Sequence, residues 1–248
     1  MFATVSRSFE PPTHDDLLAT INGSPFYSPG SPTPAGQRYA FATPDLDAQT
    51  AITLEGGWRG RQGLISWEAV TYYSWVDNEL LNLRDASGVS LGAVNADDTR
   101  HFGIELGLAA RLSDSLSARI AYTYQDFHFE NDPVHGDNEL AGAPPHTINA
   151  ALRYSITAEL FLEAEVNWRP DETPVDNANT LYNEAFVTVD ARANYDFDET
   201  LSVYGEVRNV FDEKYASSTL IVDQAVDGQA AFLPGDGRAF IVGVRGTY

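Results

Sequence analysis

At 248 residues the chain is long enough to form one large domain, and the absence of cysteine excludes disulfides and thiolate metal sites. A formal charge of −21 argues against nucleic acid as a partner, because phosphate binding needs clustered cations. No apolar run approaches the roughly 18 residues of a membrane-spanning helix, which leaves open a β-barrel, where only every second residue meets lipid.

Period-two alternation of apolar and polar residues predicts ten strands. The first, 2–8, alternates weakly. Segment 48–59 sets Ile52, Leu54 and Trp58 against Thr53, Glu55 and Arg59, and segment 64–76 sets Ile65, Trp67, Tyr73 and Trp75 against Ser66, Glu68 and Ser74. Segments 102–112, 116–129, 146–154 and 160–169 continue the pattern, the first with Phe102, Ile104, Leu106 and Leu108 opposite Gly103, Glu105 and Gly107. Segments 186–195, 201–209 and 237–248 complete the set. The predicted fold class is therefore all-β and antiparallel.

The connections alternate in length. Residues 9–47, 77–98, 130–145, 170–184 and 212–236 form long loops, while 60–63, 113–115, 155–159 and 196–200 are short. Outer-membrane barrels have long extracellular loops and short periplasmic turns, whereas a soluble sandwich has no reason to segregate loop length by end. Tyr73, Trp75, Tyr122, Tyr124, Tyr154, Trp168, Tyr195 and Tyr248 stand near the ends of the apolar runs, where interfacial girdles belong. A dozen charges, among them Glu55, Glu68, Arg119, Glu165, Arg192 and Glu206, share the opposite parity and predict a wide or polar-filled lumen.

Five motifs in chain order resemble the landmarks of TonB-dependent receptors. Asn209-Val210-Phe211-Asp212-Glu213-Lys214-Tyr215 is similar to the penultimate-strand motif, and the closing strand ends on an aromatic, Tyr248. Ser6 to Thr13 with Asp16-Leu17, then Leu46-Asp47-Ala48-Gln49 through Gly60, resemble two mid-barrel segments. Asn95 and Arg100 with Gly103-Ile104-Glu105, and Gly142-Ala143-Pro144-Pro145-His146, resemble two more.

The resemblance implies a receptor that binds a scarce nutrient complex outside the cell and admits it with energy from TonB, with no cofactor of its own and no catalysis. It implies the last ten or so strands of a 22-stranded transmembrane barrel, residues 1–248 being a single barrel segment without a plug domain. The chain opens without a secretory signal and is expected to be the C-terminal part of a longer precursor, unable to transport alone and folded as an open curved sheet. Implied partners are outer-membrane lipid, a small-molecule nutrient or metal chelate, the plug and TonB through the N-terminal part, and the barrel-assembly machinery. Segments 46–60 and 95–105 resemble receptors for siderophores and ferric carboxylates. Implied ligand contacts are the lumen-parity residues His101, Gln125, Arg169 and Arg208 and the loop residues Arg84, Arg100 and His135; Phe240, Gly243 and Tyr248 would form the assembly signal. The rival readings are a stand-alone ten-strand pore and an outer-membrane protease using Asp97, Asp98 and His101 or Asp126 and His128. No phosphate loop, HExxH or nucleophile elbow is present.

Overall fold

The computed structural model describes residues 1–13, 19–20, 41–42, 45–84 and 90–246. Ten strands form one antiparallel meander: β1 Phe2–Glu10, β2 Gln49–Gln62, β3 Ile65–Asp77, β4 Asp98–Arg111, β5 Leu116–Glu130, β6 His146–Ser155, β7 Leu160–Arg169, β8 Phe186–Asp196, β9 Leu201–Arg208 and β10 Ala239–Gly246. Each pairs with its sequence neighbours. β1 pairs only with β2 and β10 only with β9, so the sheet is open at both ends. No helix occurs among the described residues.

Boundaries shift where charge interrupts the alternation. β4 starts at Asp98 rather than 102, because Asp98, Arg100 and His101 extend the ladder against β3 and β5 although they break the apolar pattern. β2 runs on to Gln62, leaving a tight turn at Gly63, whose φ of 58° favours glycine. β10 begins at Ala239 rather than 237, and Tyr248 lies outside the described residues.

The three other short turns use one device. Ser113 Oγ, Thr157 Oγ1 and Asp198 Oδ1 each accept the backbone N–H groups two and three residues on, at 2.7 to 3.2 Å. In each, the preceding residue also closes a backbone bond to the start of the next strand, as Leu112 N to Leu116 O at 2.8 Å. At the opposite end, Asn78, Asn131 and Asn209 directly follow β3, β5 and β9 with φ of 56°, 53° and 47°, a left-handed exit that asparagine tolerates.

Register confirms the parity read from sequence. Leu54 faces Tyr73, Leu106 faces Tyr122, Ile120 faces Ala150, and Val166 faces Val189, giving one apolar face across the sheet. That face is uncovered: Leu106, Leu108, Leu152 and Leu162 remain 43–48 % exposed. Aromatics run along its loop end, with Tyr73–Trp75 centroids at 4.5 Å, Phe102–Tyr124 at 6.0 Å and Tyr124–His146 at 4.9 Å. Trp58 and Trp67, at 5.6 Å, mark the turn end. The concave face carries a row of opposed charges, Arg153 against Glu163, Glu163 against Arg192, and Arg192 against Glu206.

The fully dry core sits outside the sheet's middle. Phe129, Val175, Val222 and Ala231 are at most 1 % exposed, and all lie at the loop end or within the loops. Phe129 and Leu140 with Ala96 form a cluster joined by Leu81 and Phe127.

Candidate functional site at the loop end of the concave face

The long loops pack on one another through side-chain bonds to backbone. Asp176, fully buried, accepts the N–H groups of Thr180 and Leu181 at 2.8 and 2.9 Å, the Thr180 hydroxyl at 2.5 Å, and the N–H of Ala225 at 2.9 Å. It thereby ties loop 170–185 to loop 209–238. Asn179 clasps Glu139 from both sides, its Oδ1 accepting the N–H and its Nδ2 donating to the carbonyl, each at 2.9 Å. Asn138 Nδ2 donates to the Asn177 carbonyl at 2.9 Å, which brings loop 131–145 into the same body. Burial pushes the Asp176 carboxyl up, but the Thr180 hydroxyl and the three N–H donors outweigh it and hold the group below its ordinary value. Asp132 behaves likewise, with burial opposed by the N–H groups of His135, Val134 and Asp97.

Beneath these loops lies a cavity of about 640 Å³, within the range of small-molecule sites. His101 and Gln125 of the predicted contacts line it, with Glu79, Phe127, Asn177 and Ile221. The Glu79 carboxylate accepts from Thr99 and lies 3.1 Å from His101 Nε2, while the His101 ring stacks on Phe127 at 4.4 Å. A larger groove of about 920 Å³ follows the middle of the concave face, with Arg59, Glu68, Arg119, Glu165, Asp190 and Arg208 on its walls. The two are about equally open to solvent, and the smaller one lies under the clasped loops and holds two of the predicted contacts.

The other predicted contacts stand apart. Arg100 is a strand residue, not a loop residue: it faces the outer, apolar side opposite Trp75 and is ion-paired with Glu130 and, at 3.8 Å, with Asp98. His135 Nε2 lies 3.1 Å from Asp223, where it links two loops. Arg169 sits over the Phe186 ring at 5.3 Å, and Arg208 donates to Glu206 at 2.5 Å. Arg84 ends the hairpin strand Leu80–Arg84, and its side chain lies outside the described residues. The residues considered for proteolysis fall on opposite faces: His101 points inward to Glu79, whereas Asp126 and His128, 3.3 Å apart, share the outer parity of Arg100.

The landmark motifs turn out to be architectural. Asn209 N–H donates to Asp190 at 2.7 Å, its Oδ1 accepts from Glu213 N–H, and its Nδ2 donates to the Glu213 and Asp236 carbonyls at 2.9 and 3.0 Å. Asp212 Oδ1 accepts the Arg238 N–H at 2.9 Å, so the motif closes the base of loop 209–238. Asn95 accepts from Asp47 N–H at 2.8 Å and donates to the Asp47 and Asn78 carbonyls, joining two landmarks far apart in sequence.

The family described as "TonB dependent receptor-like, beta-barrel" matches residues 1–210, which hold the Asp47 and Asn95 landmarks. The chain belongs to this family. It is a family of receptors in the bacterial outer membrane, not of enzymes. Over an alignment of 217 residues the receptor chain is 20% identical to the probable TonB-dependent siderophore receptor PiuA of Acinetobacter baumannii, covering 82% of this chain and 28% of that protein. To the ferric enterobactin receptor PirA of Pseudomonas aeruginosa it is 26% identical, covering 99% of this chain and 34% of that protein. Its fold superposes on the ferric yersiniabactin uptake receptor FyuA of Yersinia pestis with a TM-score of 0.72 at 19% identity, over 98% of this chain and 34% of that one. The copper transporter OprC gives 0.75 at 17% identity, over 99% and 37%. The receptor chain thus spans roughly a third of the length of these relatives.

Proposed function

We propose that the chain forms the outer-end binding wall of a receptor that takes up a scarce nutrient complex, an iron chelate of siderophore or ferric-carboxylate type, with energy delivered by TonB. The cavity of about 640 Å³ under the clasped loops carries this reading, because it opens on the concave face at the loop end and presents His101 and Gln125 inward. Similarity to the siderophore receptor PiuA and the ferric enterobactin receptor PirA supports the cargo class. In this reading the uncovered apolar face meets outer-membrane lipid and the charged concave face receives the plug through which TonB acts. The barrel-assembly machinery takes the strand that carries Phe240, Gly243 and Tyr248. Arg169, Arg208, Arg84, Arg100 and His135 are secondary ligand candidates, since four of the five are engaged or undescribed and Arg100 faces away from the cavity.

The test is uptake of radiolabelled iron chelates by cells carrying the membrane-inserted receptor. Replacing His101 and Gln125 together by Ala should lower uptake at limiting chelate by about tenfold, as expected from losing roughly 1.4 kcal/mol of binding. Unchanged uptake by a normally inserted variant would refute the assignment.

A further inference from the structure

We infer that the cargo admitted through the loop-end cavity carries no net negative charge, and that it is a neutral or cationic ferric chelate of the trihydroxamate type rather than a polyanionic tris-catecholate or citrate complex. The inference rests on the proposed uptake of iron chelates and adds to it the charge class. A ferric ion held by three hydroxamates is neutral, and an ammonium on the chelator backbone makes it a cation. Held by three catecholates it is a trianion.

The described wall offers no cation to a trianion. Its side chains are apolar, as Leu81, Phe127, Leu140 and Ile221, or uncharged and polar, as Asn82, Gln125 and Asn177, and no Arg or Lys lines it among the described residues. The titratable pair on the wall is Glu79 and His101, and these are already engaged with each other and with Thr99. The nearest arginine along β4, Arg100, points to the opposite face and is held by two carboxylates. An anion entering here would lose water without gaining a cationic partner, which is the costly case for a buried charge. A neutral chelate with amide and hydroxamate oxygens instead meets the Gln125, Asn177 and Asn82 carboxamides, and an ammonium would meet Glu79.

The approach to the cavity has the same sign. Loops 131–145 and 170–185 hold seven Asp and Glu and no Lys or Arg, and loop 209–238 adds five acids against Lys214 and Arg238. The field registers on a neighbouring phenol: burial and then the carboxylates of Glu139, Asp176 and Glu172 hold the Tyr182 hydroxyl above its ordinary value. A field of one sign over a binding mouth changes arrival rates by about 10- to 1,000-fold, favouring the opposite charge and excluding its own.

The experiment uses cells carrying the membrane-inserted receptor and radiolabelled iron in three forms: a trihydroxamate with a free ammonium, a neutral trihydroxamate and a tris-catecholate. The two trihydroxamates should enter at least about tenfold faster than the tris-catecholate. The double variant Glu172→Lys with Asp227→Lys, both exposed, should narrow that gap severalfold, and Asn82→Arg, which puts a cation on the cavity wall, should narrow it further. Tris-catecholate uptake as fast as the others, or a gap that all these variants leave unchanged, overturns the charge assignment while iron-chelate uptake stands. Uptake of none of the three, nor of ferric citrate added as a fourth form, overturns the proposed function and this inference with it.

Discussion

Asp176 organises more backbone than its exposed neighbours because four donors from two loops converge on one carboxylate with no water to replace them. Asp176→Ala would strand those donors and should cost about 2–4 kcal/mol of loop stability, read as faster proteolysis of 170–185 and 209–238 while the strands stay protected. The acid response has a definite sign. The folded carboxyl lies below its ordinary value, so its contribution is complete above roughly pH 4, the unfolded value, and is lost as pH falls through the lower folded one. The loops should therefore stay clasped at pH 5 and loosen only in stronger acid, and Asp176→Asn should remove that acid transition. Asn209 argues similarly: its carboxamide makes three bonds and its N–H a fourth at a φ of 47°, so Asn209→Ala loses the three carboxamide bonds and the tolerance of that conformation. A loss of about 2–3 kcal/mol, measured as a lower urea midpoint of the folded barrel, is expected, and Asn209→Gly should recover only the part due to φ.

Between strands, four glycines lie under an aromatic ring on the facing residue: Gly57 under Phe2, Gly60 under Trp67, Gly103 under Tyr72 and Gly243 under Tyr204. A Cβ at Gly103 or Gly243 would fall 2.3 or 2.4 Å from the ring, so the aromatic covers backbone that a side chain would otherwise shield. Gly243→Val should displace Tyr204 and lower the yield of folded protein, and Tyr204→Ala in the same chain should restore part of it. Sidedness gives a second expectation at this scale. Arg at outward Leu106 or Val189 should cost about 2–4 kcal/mol at mid-membrane, whereas Arg at concave, exposed Asn167 should cost far less, as judged by a heat-modifiability assay of folding. Ten strands, and the faces of the nine after the first, were legible in sequence because period two is a property of each strand by itself. The glycine pairs were not, since they require register between strands, and parity alone makes Gly103 look like any tolerant lumen position. Arg100 was misplaced in a loop for a related reason: charges at 98–101 hide a strand end whose pairing partners supply the missing apolar contacts.

For the molecule as a whole, the two unpaired edges decide its behaviour in isolation. β1 and β10 each present a row of free N–H and C=O groups, and Phe240, Val242 and Val244 beside one edge are 70–81 % exposed. Refolded alone in detergent, the 248-residue chain should therefore associate through its edges instead of giving a compact heat-modifiable monomer, which gel migration and light scattering can read. The site was less legible than the fold. Sequence placed His101 and Gln125 on the lumen parity near the rim, and the cavity brings these two together. The Asp176 clasp was missed, although Asp176-Asn177-Ala178-Asn179-Thr180 carries the Asx-turn residue types, because loop-to-loop bonds leave no periodic trace. That clasp bears on more than the proposed uptake, since it also shapes what recognises the protein from outside the cell. Residues 139, 176, 179 and 225 are neighbours only while three loops stay bound together. An antibody or phage fibre gripping this face would bind a discontinuous epitope, and a peptide copied from any one loop would not elicit it.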